Sequence, residues 1–187
     1  MRFLNKNTFL SLAFILIAIF TLQGCGGGNN NPTRVEFTPP APFNIESNAN
    51  VDSSYTTSDG LQIYIIEEGY GPFKVIARDQ VSVFYTGRVI KNGDIDRVFD
   101  SSYQNNNSSP RILQNLTKSP ISTGSGRTVS PLIDGFRRAI LGMRAGGKRV
   151  VIIPPSLGYE DAQEGSRGYQ LRNDTLRFDI ELETILD

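Results

Sequence analysis

The chain contains no histidine. That removes imidazole both as a metal ligand and as the base of a nucleophilic triad. It has a single cysteine, Cys25, which excludes an intramolecular disulfide and any multi-thiolate site. Neither sign of charge is in excess. With 19 Lys and Arg against 19 Asp and Glu, no basic stripe is left to neutralise phosphates, and a nucleic-acid partner is not expected. Nor is there a long hydrophobic run. The longest, Phe9 to Leu22, is broken by Ser11 and Thr21 and falls short of the roughly 20 residues that a membrane span wants. No metal or other cofactor is expected. What is present is ordinary globular composition, 39% hydrophobic and 20% charged over 187 residues. That length allows one domain plus extensions.

The N-terminus reads as a targeting segment. Arg2 and Lys6 precede the apolar run, which ends in Leu22-Gln23-Gly24-Cys25 followed by Gly26, Gly27 and Gly28. This resembles the lipobox of bacterial lipoproteins. The resemblance implies a signal peptide over 1–24 and a lipidated Cys25 as the first mature residue. A plain signal peptide or an uncleaved anchor are the alternatives. Removal of the leader leaves 17 basic against 19 acidic residues, a formal charge of −2. Acyl chains would then tie the protein to a membrane, at about 0.8 kcal/mol per buried methylene. The expected station is the bacterial cell envelope, on the periplasm-facing side of the outer membrane. Residues 25–55 are rich in Gly, Asn, Pro and Ser, with the run Thr38-Pro39-Pro40-Ala41-Pro42, and read as a flexible tether. A lesser alternative has Val35, Phe37, Phe43 and Ile45 docking on the domain.

The folded domain is expected over 56–187. Leu61 to Ile66 reads as a strand, and Gln80 to Ile90 as a longer one with Val81, Val83 and Tyr85 on one face. Asn92-Gly93 signals a tight hairpin that returns through Ile95 and Val98-Phe99. Ser101 to Ser119 is polar, without a period, and reads as a surface loop or a bulged strand with an insertion. Ser130-Pro131 is a helix start, with Leu132, Phe136, Ile140 and Met143 as its apolar stripe. Lys148 to Ile153 is an apolar strand. Leu176, Phe178, Ile180 and Leu182 alternate with charged residues in a half-buried one. The fold class is α+β: a curved antiparallel sheet wrapped around one short helix.

From about Ser58 to Asp187 the motifs resemble the FKBP-type peptidyl-prolyl cis-trans isomerases. They are Val83-Phe84-Tyr85-Thr86-Gly87, Phe99-Asp100-Ser101-Ser102, Leu132-Ile133-Asp134-Gly135-Phe136, Ile153-Pro154-Pro155-Ser156-Leu157-Gly158-Tyr159 and Leu176-Arg177-Phe178-Asp179. The resemblance implies a proline-binding bowl. Tyr85 would be its strand tyrosine, Phe99 and Asp100 an aromatic wall and a carboxylate. Ile133 would line it and offer its backbone N–H to a carbonyl, with Phe136 as floor where many relatives carry tryptophan. Tyr159 would supply a hydroxyl to a carbonyl, and Phe178 would close the bowl. Ile121 is a looser candidate for a further wall residue. The chain departs from the family at Glu160, where glycine is usual, at Gly168 to Thr175, where relatives carry Ile-Pro-Pro, and in the inserted stretch 103–119.

Such a bowl suits proline chemistry. Rotation about an X–Pro bond meets a barrier of about 18–20 kcal/mol from amide resonance, and no nucleophile or proton shuttle is needed to lower it. The expected partners are proline-containing polypeptide clients, with catalysis of the slow proline steps of exported proteins. A client-binding module with little or no catalysis and a structural lipoprotein of an envelope assembly stay open beside it.

Overall fold

The structure is a computed structural model that describes residues 35–186. The expected leader, Cys25 and the expected tether up to Arg34 lie outside the described residues. Eleven strands and one α-helix follow in the order β1 (Ser53–Thr56), β2 (Gln62–Glu67), β3 (Gln80–Lys91), β4 (Asp94–Ser101), β5 (Tyr103–Gln104), β6 (Asn107–Ser108), β7 (Arg111–Leu113), β8 (Ile121–Ser122), β9 (Thr128–Val129), α1 (Asp134–Ile140), β10 (Lys148–Ile153) and β11 (Thr175–Leu186). The main sheet runs β1-β2-β10-β11-β3-β4, antiparallel throughout, and β7 pairs with the first part of β3. The long β3 therefore has two neighbours on one edge. Its second half, from Thr86, carries β4, and Val81 to Val83 carry β7. The β3–β4 turn has positive φ at both Asn92 (53°) and Gly93 (91°), the backbone a type I′ hairpin requires.

One face of the sheet wraps α1. Phe136, Ala139 and Ile140 of the helix and Met143 just beyond it pack with Ile63, Val81, Val83, Val151, Ile153, Leu176, Phe178, Ile180 and Leu182, all of them buried. The helix is shorter and later than its sequence signal. Ser130 and Pro131 stay outside it, and Ile133, with extended ψ of 144°, precedes Asp134 without a side-chain cap. Proline biases its predecessor away from helical backbone, so Ser130-Pro131 ends a loop here. Gly135 then lies against β10 so closely that a Cβ would stand 2.5 Å from Ile153 Cγ2, which sets where the helix rests on the sheet.

The opposite face carries the largest departure from expectation. Residues 25–55 read as a flexible tether, with docking as the lesser alternative; from Val35 onward it is the alternative that fits, because the segment runs along the domain as a bound strap. Phe37 bridges Gln104 antiparallel. Around it Asn105 N–H donates to Glu36 O at 2.7 Å, Glu36 N–H to Asn105 Oδ1 at 3.0 Å, and Thr38 N–H to Tyr103 O at 3.1 Å. Further on, Arg88 Nη2 donates to Pro40 O at 2.7 Å, Phe43 N–H to Asp179 Oδ1 at 2.9 Å, and Arg177 to Phe43 O. The strap ends by pairing as β1 along β2. For this reason β11 is not half-exposed. Its Arg177 and Asp179 are each only 7% accessible and form, with Arg88, an ion triad covered by the strap. The stretch 103–119 folds as the small β5–β6 hairpin followed by β7. Its turn puts Asn105 and Asn106 at φ of 53° and 58°, a backbone that asparagine tolerates better than most residues.

Candidate active site

Five elements bring their aromatic residues to one place. Tyr85 comes from β3, Phe99 from β4, Phe136 from α1, Phe178 from β11, and Tyr159 from the segment after the 3-10 turn Pro155–Leu157. Phe136 and Phe178 stack with ring centroids 4.4 Å apart at 26°. Tyr85 tilts over both, at 5.2 and 6.2 Å. Phe99 stands edge-on to Phe178 at 5.5 Å and 87°, and edge-on to Tyr159 at 6.5 Å and 85°. Offset-stacked and edge-to-face pairs are the arrangements the ring quadrupoles favour. The result is a staircase of rings, with Phe136, Phe178 and Tyr85 buried at its foot and Phe99 and Tyr159 half-buried at its head. The head opens on a cavity of about 520 Å³ that Phe99, Asp100 and Tyr159 help to line.

Two glycines make the staircase possible. A Cβ on Gly87, the last residue of the Tyr85-Thr86-Gly87 motif, would lie 2.8 Å from both Phe178 Cε1 and Phe99 Cζ. One on Gly168 would lie 2.3 Å from Tyr159 Cδ1. The serines of the Asp100-Ser101-Ser102 corner do the complementary work. Tyr85 N–H donates to Ser102 Oγ at 3.0 Å, and Ser102 N–H donates back to Tyr85 O at 3.0 Å. Ser101 Oγ reaches the same Tyr85 carbonyl at 3.2 Å. This network fixes Asp100 relative to Tyr85, whose hydroxyl donates to Asp100 Oδ2 at 2.7 Å. Asp100 thus meets the Tyr85 hydroxyl, and Ser101 and Ser102 carry the turn.

Burial, then the Asp100 charge and the hydrogen bond to it, push the Tyr85 phenol well above its ordinary value, with the positive charge of Arg111 opposing. Burial and then Asp100 raise Tyr159 as well. Both phenols stay protonated at neutral pH and so keep an O–H to donate. The Tyr159 hydroxyl makes no hydrogen bond among the described residues. Ile133 sits half-buried at the helix start, where its carbonyl accepts from Arg137 N–H at 3.0 Å and its own N–H has no partner among the described residues. An unpaired N–H is normal for a helix start. Two free donors therefore flank an apolar, aromatic bowl. Ile121 is in the β8–β9 hairpin, paired with Val129.

Val35 and Phe37 of the strap also reach the cavity, as do two residues that no sequence pattern marked, Arg111 of β7 and Arg167 before β11. Where relatives carry Ile-Pro-Pro, Tyr169–Leu171 forms a 3-10 turn, with Leu171 buried and the Arg172 guanidinium 4.1 Å above the Tyr169 ring. Glu160 is exposed beside Tyr159.

A curved antiparallel sheet on one short helix, with this bowl between them, defines a domain equipped to hold a small apolar ring and the amides beside it. Residues 71–183 match the model of the family "FKBP-type peptidyl-prolyl cis-trans isomerase". FK506-binding protein 2 of Candida glabrata is 34% identical, over 72% of this chain and 88% of its own. The peptidyl-prolyl cis-trans isomerase Mip of Coxiella burnetii is 28% identical, over 75% of this chain and 51% of its own. The crystal structure of FkpA from Escherichia coli superposes with a TM-score of 0.52 at 28% identity, covering 74% of this chain and 54% of FkpA. The chain thus spans about half the length of these two bacterial proteins. It belongs to the FKBP-type peptidyl-prolyl cis-trans isomerase family.

Proposed function

We propose that the protein isomerises X–Pro bonds in exported polypeptides at the bacterial cell envelope, held there by a lipid on Cys25. The observation that carries the catalytic part is the convergence of Tyr85, Phe99, Phe136, Tyr159 and Phe178 beside two free hydrogen-bond donors. Twisting the amide removes its charge separation, so an apolar bowl disfavours the planar ground state more than the twisted transition state. Ile133 N–H and Tyr159 O–H are the donors that would hold the carbonyls on either side of the rotating bond, preorganised before the substrate arrives. Asp100 orients Tyr85 rather than moving a proton, and no bond is made or broken. The envelope assignment rests on the sequence Leu22-Gln23-Gly24-Cys25 and on the bacterial source of two of the relatives.

Two measurements test this reading. The full-length protein in detergent should accelerate cis-to-trans relaxation of a proline tetrapeptide, and Phe99→Ala should abolish most of that acceleration. A folded protein that gives only the uncatalysed rate would leave a client-binding module as the better reading. Radiolabelled palmitate should be incorporated by the wild type in bacterial cells and not by Cys25→Ser. Equal labelling of the two would sink the anchor.

A further inference from the structure

The cavity at the head of the staircase is lined beyond the aromatic residues by the strap, β7 and the segment before β11. Val35 and Phe37 of the strap line it together with Leu171, and Arg111 and Arg167 line it as well. The strap residues are not draped there loosely. The Phe37–Gln104 bridge and the hydrogen bonds of Glu36 and Thr38 to the β5–β6 hairpin hold them. Arg111 is placed by its β7 pairing opposite Val83, two residues before Tyr85.

The charges are lopsided. Three arginines and one carboxylate line the cavity. Arg97 is already engaged, by Asp96 at 3.0 Å and Asp174 at 3.8 Å. Asp100 accepts the Tyr85 hydroxyl. Arg111 and Arg167 have no ion pair among the described residues. The positive charge of Arg111 is felt by the Tyr85 phenol, against which burial and Asp100 act in the other direction. Two uncommitted cations thus sit over an apolar wall, next to the place where a proline would be held.

We propose that this cavity is a second client subsite, taking an acidic side chain beside the bound proline. Val35, Phe37 and Leu171 cover the methylenes of a glutamate, and Arg111 and Arg167 meet its carboxylate. Glutamate reaches further than aspartate and is the better occupant. The inference rests on the prolyl isomerase reading and names the substrate class of that same site. Arg111 and Arg167 are exposed, so screened attraction of the surface ion-pair kind is expected. That corresponds to roughly a three- to fivefold gain in kcat/KM.

The test uses the full-length protein in detergent and peptides Ala-Xaa-Pro-Phe and Ala-Leu-Pro-Xaa, with Xaa glutamate, aspartate or glutamine. In low salt, glutamate should exceed glutamine roughly three- to fivefold at one of the two flanks, with aspartate between them. The ratio should approach one in about 0.5 M salt, where the screening length is shorter than the cavity. It should also approach one in Arg111→Gln/Arg167→Gln. A wild-type ratio of one or less at both flanks overturns the proposal, and so does a ratio that survives the double substitution. Phe37→Ala should raise KM for both peptides of the sensitive flank and leave their ratio intact. An unchanged KM removes the strap from the subsite. If even the glutamine peptides show no acceleration, the isomerase reading has failed, and equilibrium Kd values for the same peptides then decide the subsite independently.

Discussion

The buried triad under the strap makes a quantitative prediction through Asp179→Asn. The side chains of Arg88 and Asp179 are 4% and 8% accessible, and that of Arg177 is 9% accessible. One carboxylate serves four donors. Oδ2 takes Arg88 Nη1 and, at 3.3 Å, Arg177 Nε; Oδ1 takes Arg177 Nη2 at 2.8 Å and the Phe43 N–H at 2.9 Å. Asparagine has nearly the same shape but removes the only negative charge of the cluster. It also turns one acceptor into an NH₂ that faces other donors. Two guanidinium groups would then be buried side by side with no counter-charge. Removing one partner of a buried pair costs about 3–5 kcal/mol. For a domain of this size that corresponds to a Tm lower by roughly 6 to 20 °C.

Urea unfolding followed by circular dichroism measures the loss, and a second series in 0.5 M salt measures its screening. Because the groups are covered, added salt should restore little of the loss, whereas an exposed pair would be screened. Limited proteolysis should also find the strap between residues 35 and 46 newly cleavable, since the carboxylate that takes the Phe43 N–H and holds Arg177 beside Phe43 O is replaced by an amide with a single acceptor. A loss under about 1 kcal/mol, the range of an exposed pair, would refute the argument. A companion variant, Arg88→Met/Arg177→Met/Asp179→Leu, separates charge from packing. It should unfold close to the wild type, because replacing a whole buried cluster by apolar residues is often neutral. Its strap should still be cleavable, having lost its partners on the sheet.

Gly87→Ala should cost about 1–3 kcal/mol by urea unfolding, as overpacking against Phe178 and Phe99, and should lower peptide turnover with it. Tyr159→Phe should leave stability within about 0.5 kcal/mol and reduce kcat/KM about fivefold, the worth of one hydrogen bond of roughly 1 kcal/mol; undiminished turnover would remove the hydroxyl from the mechanism. Burial and nearby carboxylates raise Tyr85, Tyr103 and Tyr159 in the folded state. The folded chain then holds these phenolic protons more tightly than the unfolded one, whose tyrosines titrate near 10. Their stabilising contribution is complete below pH ~10 and is lost as pH rises through the folded values. The Tm should therefore fall above pH 10, with some tyrosines titrating late by ultraviolet absorbance; early titration of every tyrosine while the protein is still folded would contradict the burial argument.

The parts of the fold legible in the sequence are those written in side chains. The apolar run Lys148–Ile153 is β10 to the residue, and Gln80–Lys91 extends the expected strand by one. Asn92-Gly93 formed its turn because both residues tolerate positive φ. Tyr85, Phe99, Ile133, Phe136, Tyr159 and Phe178 were marked by the resemblance of their motifs to the family; their periodicity alone reads as core. The strap was legible only as the lesser alternative of docking, because its anchors are main-chain atoms: Glu36 N and O, Thr38 N, Pro40 O, Phe43 N and O. Backbone carbonyls, and the N–H groups of all residues but proline, are common to every sequence, so a Gly, Asn and Pro composition looks equally like a free linker. The alternation of Arg177 and Asp179 in β11 likewise reads as a solvated face. Only the presence of the strap, with Arg88 on the neighbouring strand, makes it a buried triad. Arg111 stayed hidden since no apolar pattern marks a cation placed by strand pairing.

The strap also changes what the proposed anchor would imply. A free tether over 25–55 would let the site roam roughly 100 Å from Cys25, at about 3.5 Å per extended residue. With the chain bound from Val35 onward, and Val35 itself lining the cavity, the span from Cys25 to the mouth of the site is ten residues. Whatever conformation that span takes, its reach is at most about 35 Å. Under the proposed lipidation the site would therefore work close to the membrane surface, on chains still emerging there or held there. Lengthening the span by a Gly/Ser insert after Asn31 leaves every contact of the domain untouched. It should not alter turnover of free tetrapeptides, and it should change the rate only for clients that are themselves membrane-bound. An equal effect on both kinds of client would show that distance from the bilayer has no part in client choice.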